Sequence, residues 1–224
     1  MNAISLLEKD HRTVEGIFDQ LQKLKGEGSS KKKKELCEML VKELSIHAAI
    51  EEMIFYPTVK KTIGEAKELV LESLEEHNVV KWELDAIQSM KVDDARFQAK
   101  IKVLRDAVMH HVEEEEQQLF PMVREAFEAS KLNEMGKRLE QAKKIAPTRP
   151  HPRAPNEPPG NIIVGMGAGV VDRAMDAGRS MSHGRQAEKT EKASTRSHDG
   201  HRTTKKRAPA RTTRARSHRA HAHH

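Results

Sequence analysis

The sequence predicts an all-α protein, an up-down-up-down four-helix bundle with a disordered basic C-terminal tail. Three observations carry this. Four segments of residues 1–146 place apolar side chains at alternating spacings of three and four, the pattern of a helix with one buried stripe. The links between them are short, which makes consecutive helices antiparallel neighbours. Two stretches roughly sixty residues apart repeat one another: His47-Ala48-Ala49-Ile50-Glu51-Glu52, leading to Phe55-Tyr56-Pro57, and His111-Val112-Glu113-Glu114-Glu115-Glu116, leading to Leu119-Phe120-Pro121. Such a repeat reads as a duplicated helical hairpin, which fixes the architecture.

The first stripe runs Ile4, Leu7, His11, Val14, Phe18, Leu21, and Gly26 to Ser30 ends that helix. The second runs Leu36, Leu40, Leu44, His47, Glu51, Ile54 and stops before Gly64. Val70, Leu74, His77, Leu84 and Ile87 form the third, up to Val92-Asp93-Asp94. Ile101, Leu104, Val108, His111, Glu115 and Met122 form the fourth. A fifth, short helix is expected over Leu132 to Ile145, ended by Pro147.

Six residues in these stripes are not apolar: His11, His47, Glu51, His77, His111 and Glu115. They stand where a bundle otherwise places Leu or Ile. A His and a Glu four apart project from one helix face, so each repeat offers a nitrogen and an oxygen to one point. A single histidine on an apolar face is usually an ordinary core residue. Six in phase on four stripes are different, because burying them unpaired costs several kcal/mol each. A cation is the simplest neutralising partner, and mixed imidazole and carboxylate donors suit iron, zinc or manganese. On the last helix, His110 and Glu114 are also four apart, but their stripe is less apolar. His110, Glu113 and Glu114 are therefore assigned to the periphery.

Together, Asp10-His11, His47-Ala-Ala-Ile-Glu51-Glu with Phe-Tyr-Pro, Glu76-His77, and His111-Val-Glu-Glu-Glu115-Glu with Leu-Phe-Pro resemble the hemerythrin-like (HHE cation-binding) family, over roughly residues 1–145. The resemblance implies two non-heme irons bridged by Glu51 and Glu115, with His11 and His47 on one and His77 and His111 on the other. It implies a small ligand, namely oxygen, peroxide or nitric oxide, in stress response or iron homeostasis. Whether the protein senses that ligand, turns it over as a catalase-like enzyme, or is a nucleic-acid-associated protein whose bundle merely buffers metal stays open. The family's oxygen carriers have a fifth histidine four residues from the one matching His77. Ser73 and Lys81 hold those places here, so an open site with Glu76 or water in the gap is expected rather than an oxygen carrier.

Other residues carry less. Trp82 and Tyr56 could gate the site or tune its redox steps, but packing is the commoner role for an aromatic residue on a bundle, and Met39, Met53, Met90, Met109 and Met122 read as core filler. Lys31 to Lys34 read as a solvated charge run and Cys37 as a structural thiol; one cysteine allows no internal disulfide.

The remainder changes character. Residues 143–224 hold 18 Lys+Arg against 6 Asp+Glu, while residues 1–142 hold 22 against 28. Residues 147–160 read as a proline-rich linker, 161–181 as a short Gly-rich apolar segment able to pack on the bundle or on a second subunit, and 182–224 as a disordered His/Arg-rich tail. Such a tail can bind nucleic acid in a salt-dependent, sequence-independent way, or simply solubilise the chain. No signal peptide and no apolar run of membrane-spanning length is evident, so a cytoplasmic protein without membrane contact is expected. Oligomeric state is left open.

Overall fold

The structure, a computed structural model, describes residues 1–24, 29–155, 160, 161, 165 and 167–178. The described residues contain helices and no strand. Helix α1 (Ala3–Lys23) starts at Asn2, whose Oδ1 accepts the Ser5 N–H at 2.8 Å, a side-chain cap for an otherwise unmatched donor. Helix α2 (Ser30–Ile50) passes through a π turn (Glu51–Phe55) into α3 (Tyr56–Thr62). Helix α4 (Lys67–Ser89) returns, and α5 (Phe97–Glu114) passes through a second π turn (Glu115–Leu119) into α6 (Phe120–Ala126). Helix α7 (Ala129–Lys143) lies against α1, α2 and the first π turn. The bundle's four members are thus α1, α2 with α3, α4, and α5 with α6.

The π turns fall at matching places in the two repeats. In each, the backbone N–H five residues on, Tyr56 or Phe120, reaches the carbonyl of Glu51 or Glu115. The cause is legible in Pro57 and Pro121, which lack the N–H that an α-helix would send back four residues and whose rings crowd that carbonyl. One widened turn relieves both problems. It also shifts the buried stripe by one place. Ile54 and Met122, expected in the core, are only partly buried, and Phe55, Val59, Leu119 and Val123 take the interior instead.

Apolar side chains collect in two clusters, one around Leu7, Phe55, Phe120 and Leu139, the other around Phe18, Leu40, Leu84 and Leu104. The four stripe histidines lie between them, each flanked along its own helix by members of both clusters or of one cluster and the π turn. Cys37 is buried in the second cluster, and burial, aided by nearby Glu38, pushes its thiol up to about 11. Met39 and Trp82 depart from expectation: both are exposed, 46% and 48%, and the Arg153 guanidinium sits 5.5 Å over the Trp82 ring.

The described residues up to Gly178 pack as one unit. Pro147, Thr148 and Pro150 are buried, and residues 167–178 are helical. Prolines bar regular structure from residues 147–155, the described stretch of the expected linker, yet the Thr148 and Arg149 amides find a side-chain partner. The buried Asp172 carboxylate accepts from Thr148 N at 3.0 Å, Arg149 N at 3.1 Å and His151 Nε2 at 3.1 Å. Arg173 donates to the Lys143 and Lys144 carbonyls at 2.8 and 2.7 Å, closing the C-terminus of α7 from outside. The expected tail, 182–224, and the glycines at 26 and 28 lie outside the described residues.

Candidate metal centre

All six non-apolar stripe residues are buried, and they meet at mid-bundle: His11, His47, His77 and His111 are at most 5% exposed, Glu51 is 0% and Glu115 is 1%. The pairs four apart behave as their spacing predicts. His47 Nε2 lies 3.1 Å from Glu51 Oε2, and His111 Nε2 lies 3.7 Å from Glu115 Oε2. Each glutamate also reaches a histidine on another helix, His77 Nε2 at 3.4 Å from Glu51 Oε2 and His11 Nε2 at 3.3 Å from Glu115 Oε2. Two overlapping donor sets result: His11, His47, Glu51 and Glu115, and Glu51, His77 and His111, with the donor atoms of each set within 4.8 Å of one another.

The outward nitrogens explain the orientation of the rings. His11 Nδ1 pairs with Glu116 Oε1 at 2.8 Å, His77 Nδ1 with Glu52 Oε1 at 3.0 Å, and His111 Nδ1 with Glu76 Oε2 at 2.7 Å. Asp10 Oδ2 stands 3.6 Å from His47 Nδ1, a charge contact longer than a hydrogen bond. An ionised carboxylate only accepts, so the Nδ1 of His11, His77 and His111 donates outward and Nε2 is the nitrogen that faces the centre. The supports are themselves anchored: Lys81 and Glu52, Lys143 and Asp10, and Arg12 and Glu116 are ion-paired.

Inside this ring the polar atoms do not satisfy one another. His11 Nε2, His47 Nε2, both Glu51 oxygens and Glu115 Oε2 are buried with no hydrogen-bond partner. His77 Nε2 and His111 Nε2 are 3.2 Å apart, acceptor against acceptor for two rings that donate through Nδ1. Lone pairs converging without donors are costly in a dry interior unless a cation joins them. The charges agree. Burial, followed by the charge of Glu115, pushes Glu51 well above the ordinary carboxylate range. Burial would raise Glu115 too, but His111, His11 and His47 hold it at about 2. Burial takes His47 down to about 4 and lowers His77, while His11 is raised because Glu115 and Glu116 outweigh its burial. This donor set of four imidazoles and two carboxylates fits divalent transition cations.

Tyr56, for which packing was the first expectation and a role at the site the second, lies at this site. Its buried hydroxyl donates to Glu115 Oε1 at 2.9 Å and stands 3.3 Å from His77 Nε2. Burial, then the charges of Glu115 and Glu51, keep the phenol protonated, well above its ordinary value. Glu76, expected as a replacement near the missing fifth histidine, instead supports His111. Ser73 donates to the Leu69 carbonyl, and Lys81 pairs with Glu52. In the sequence, Tyr56 stands where the second repeat has Phe120, so its hydroxyl is one departure from strict duplication. Beside the histidines, Val14, Leu44, Val80, Val108 and Val112 wall a cavity of about 20 Å³, room for a water or a diatomic molecule.

Comparison with known proteins agrees with this architecture. Residues 2–123 match the family described as the hemerythrin HHE cation binding domain. The chain is 31% identical over 169 residues to an uncharacterized hemerythrin-like protein of Schizosaccharomyces pombe, covering 75% of this chain and 82% of that one. It is 28% identical over 143 residues to a DNA nickase of Nostoc, covering 64% of this chain but only 39% of the nickase. A crystal structure of a hemerythrin HHE cation binding domain-containing protein from Mycobacterium kansasii aligns with a TM-score of 0.55 at 23% identity, over 64% of this chain and 88% of that one. No described helix is long and apolar enough to cross a membrane. The chain belongs to the hemerythrin HHE cation-binding family.

Proposed function

We propose that the bundle holds two non-heme irons and binds or senses a small oxidant, oxygen, peroxide or nitric oxide, in stress response or iron homeostasis. The observation that supports this most is the set of inward, partnerless Nε2 and carboxylate atoms beside an apolar cavity. His11 and His47 would hold one ion, His77 and His111 the other. Glu51 and Glu115 each approach one histidine of either pair, as bridging carboxylates must. Zinc or manganese suits the same donors. When bound, iron supplies redox chemistry and exchangeable coordination positions. The chain's residues do the rest: Asp10, Glu52, Glu76 and Glu116 orient the rings, and the valine walls exclude bulk water and admit small, weakly polar molecules.

Tyr56 favours a second reading, an enzyme that disproportionates peroxide to water and oxygen. A phenol held beside Glu115 and His77 can give and retake a proton at the centre. The two readings separate in one experiment, in which the iron-loaded chain is mixed with peroxide and with nitric oxide. A persistent optical change without peroxide loss supports the sensor, and sustained oxygen release supports the enzyme. No spectral response to either molecule overturns both. Nucleic-acid binding through the basic residues 182–224 is a separate proposal, supported by their charge and by the likeness to a DNA nickase. Deleting 179–224 should abolish any salt-sensitive DNA affinity, because the remaining bundle is acidic.

A further inference from the structure

Helix α5 and the π turn that follows it carry two successive His-x3-Glu pairs, and only one of them faces inward. The other, His110 and Glu114, points out beside Glu76 of α4. His110 is 64% exposed, and Glu76 and Glu114 are 21% and 25% exposed. His110 Nε2 lies 3.8 Å from Glu76 Oε1 and 3.6 Å from Glu114 Oε1, and one donor atom from each of the three falls within 4.8 Å of the others. These separations are too long for hydrogen bonds. They suit donors that each sit about 2.0–2.2 Å from one shared ion, since such atoms stand about 3–4 Å apart. Glu113 is not part of the group, because it accepts from Gln117 Nε2 at 3.1 Å.

We propose that Glu76, His110 and Glu114 form an outer site for a divalent transition-metal ion on its way to the buried centre. The imidazole selects first-row transition ions over magnesium or calcium, which prefer oxygen alone. Three partly exposed donors leave other positions to water, so the ion is held weakly and exchanges fast, as a transit site requires. Glu76 joins the two places: one oxygen faces His110, and the other accepts the Nδ1 proton of buried His111 at 2.7 Å. The transit role rests on the proposed buried centre, whereas binding at the outer site does not.

The test uses Co²⁺ and the full chain. Cobalt absorbance and calorimetry count the ions in His47→Ala/Glu51→Gln, which disables the buried set, with circular dichroism to check its fold. Retention of about one equivalent, lost on adding His110→Ala, is expected; an absence of binding in the folded double variant overturns the outer site. Should that variant not fold, His110→Ala alone in the otherwise native chain must lower the total count by about one, and an unchanged count overturns the site. The transit role is read from His110→Ala/Glu114→Gln, which should fill the buried centre to the native level but about tenfold more slowly. An unchanged filling rate overturns transit. A native chain that binds only the outer ion removes the buried centre while leaving the outer site standing.

Discussion

Around each buried imidazole, a carboxylate from another helix fixes which nitrogen faces the centre. The pairings follow a rule that respects the duplication. Asp10 and Glu76, which precede the histidines of α1 and α4, serve His47 and His111, whereas Glu52 and Glu116, which follow the central glutamates, serve His77 and His11. The acidic neighbours in the sequence motifs therefore each support a central histidine on another helix. The six central residues were legible because they interrupt apolar stripes at a helical period. The supports were not, because residues adjacent in sequence point in different directions and their partners lie on other helices. Tyr56 was only partly legible for the same reason, since an aromatic residue in a bundle usually only packs. Asp10→Asn should keep the metal count at saturation but weaken metal affinity about 10–100-fold. Competition with a chelator measures this, and unchanged affinity would remove Asp10 from the support ring.

At the scale of the element, the π turns decide what the interior contains. An uninterrupted α-helix would have carried Ile54 and Met122 into the core, as the apolar period suggests. Instead each proline forces one wide turn, and the stripe resumes one place later. Periodicity reads helices well but does not register a single inserted residue, so the buried stripes follow it up to Glu51 and Glu115 and depart from it beyond them. Leu119→Ala should cost about 2–5 kcal/mol of stability as a fully buried leucine. Met122→Ala, at a half-buried place, should cost clearly less by the same reasoning. Urea denaturation of the two variants checks this, and the reverse order would mean that α5 continues into α6 without the shift.

At the scale of the whole molecule, the described residues between 145 and 178 pack on the bundle rather than trail from it. Asn161 Nδ2 donates to the Glu52 carbonyl at 2.8 Å, so the extension touches the turn that carries a support of His77. Close approach makes this possible: a Cβ on Gly169 would fall 2.0 Å from the Ile145 carbonyl oxygen. Gly169→Ala should therefore lift the helical residues 167–178 and free the Lys143 and Lys144 carbonyls from Arg173. The expected reading is faster limited proteolysis within 145–178 and a bundle weakened by roughly 1–3 kcal/mol, and unaltered proteolysis would contradict that packing. The glycine spacing hinted at close contact, but the prolines hid that the segment before it was held by Asp172, twenty-odd residues further on.

The central claim is that six residues on four helices exist to hold two cations. Elemental analysis of the chain purified without chelator tests it most directly, compared with His47→Ala/His111→Ala. About two metal ions per native chain beyond any outer ion, and their loss from the folded double variant, are predicted by analogy with dinuclear carboxylate sites in helical bundles. Equal metal content in the two proteins would contradict it.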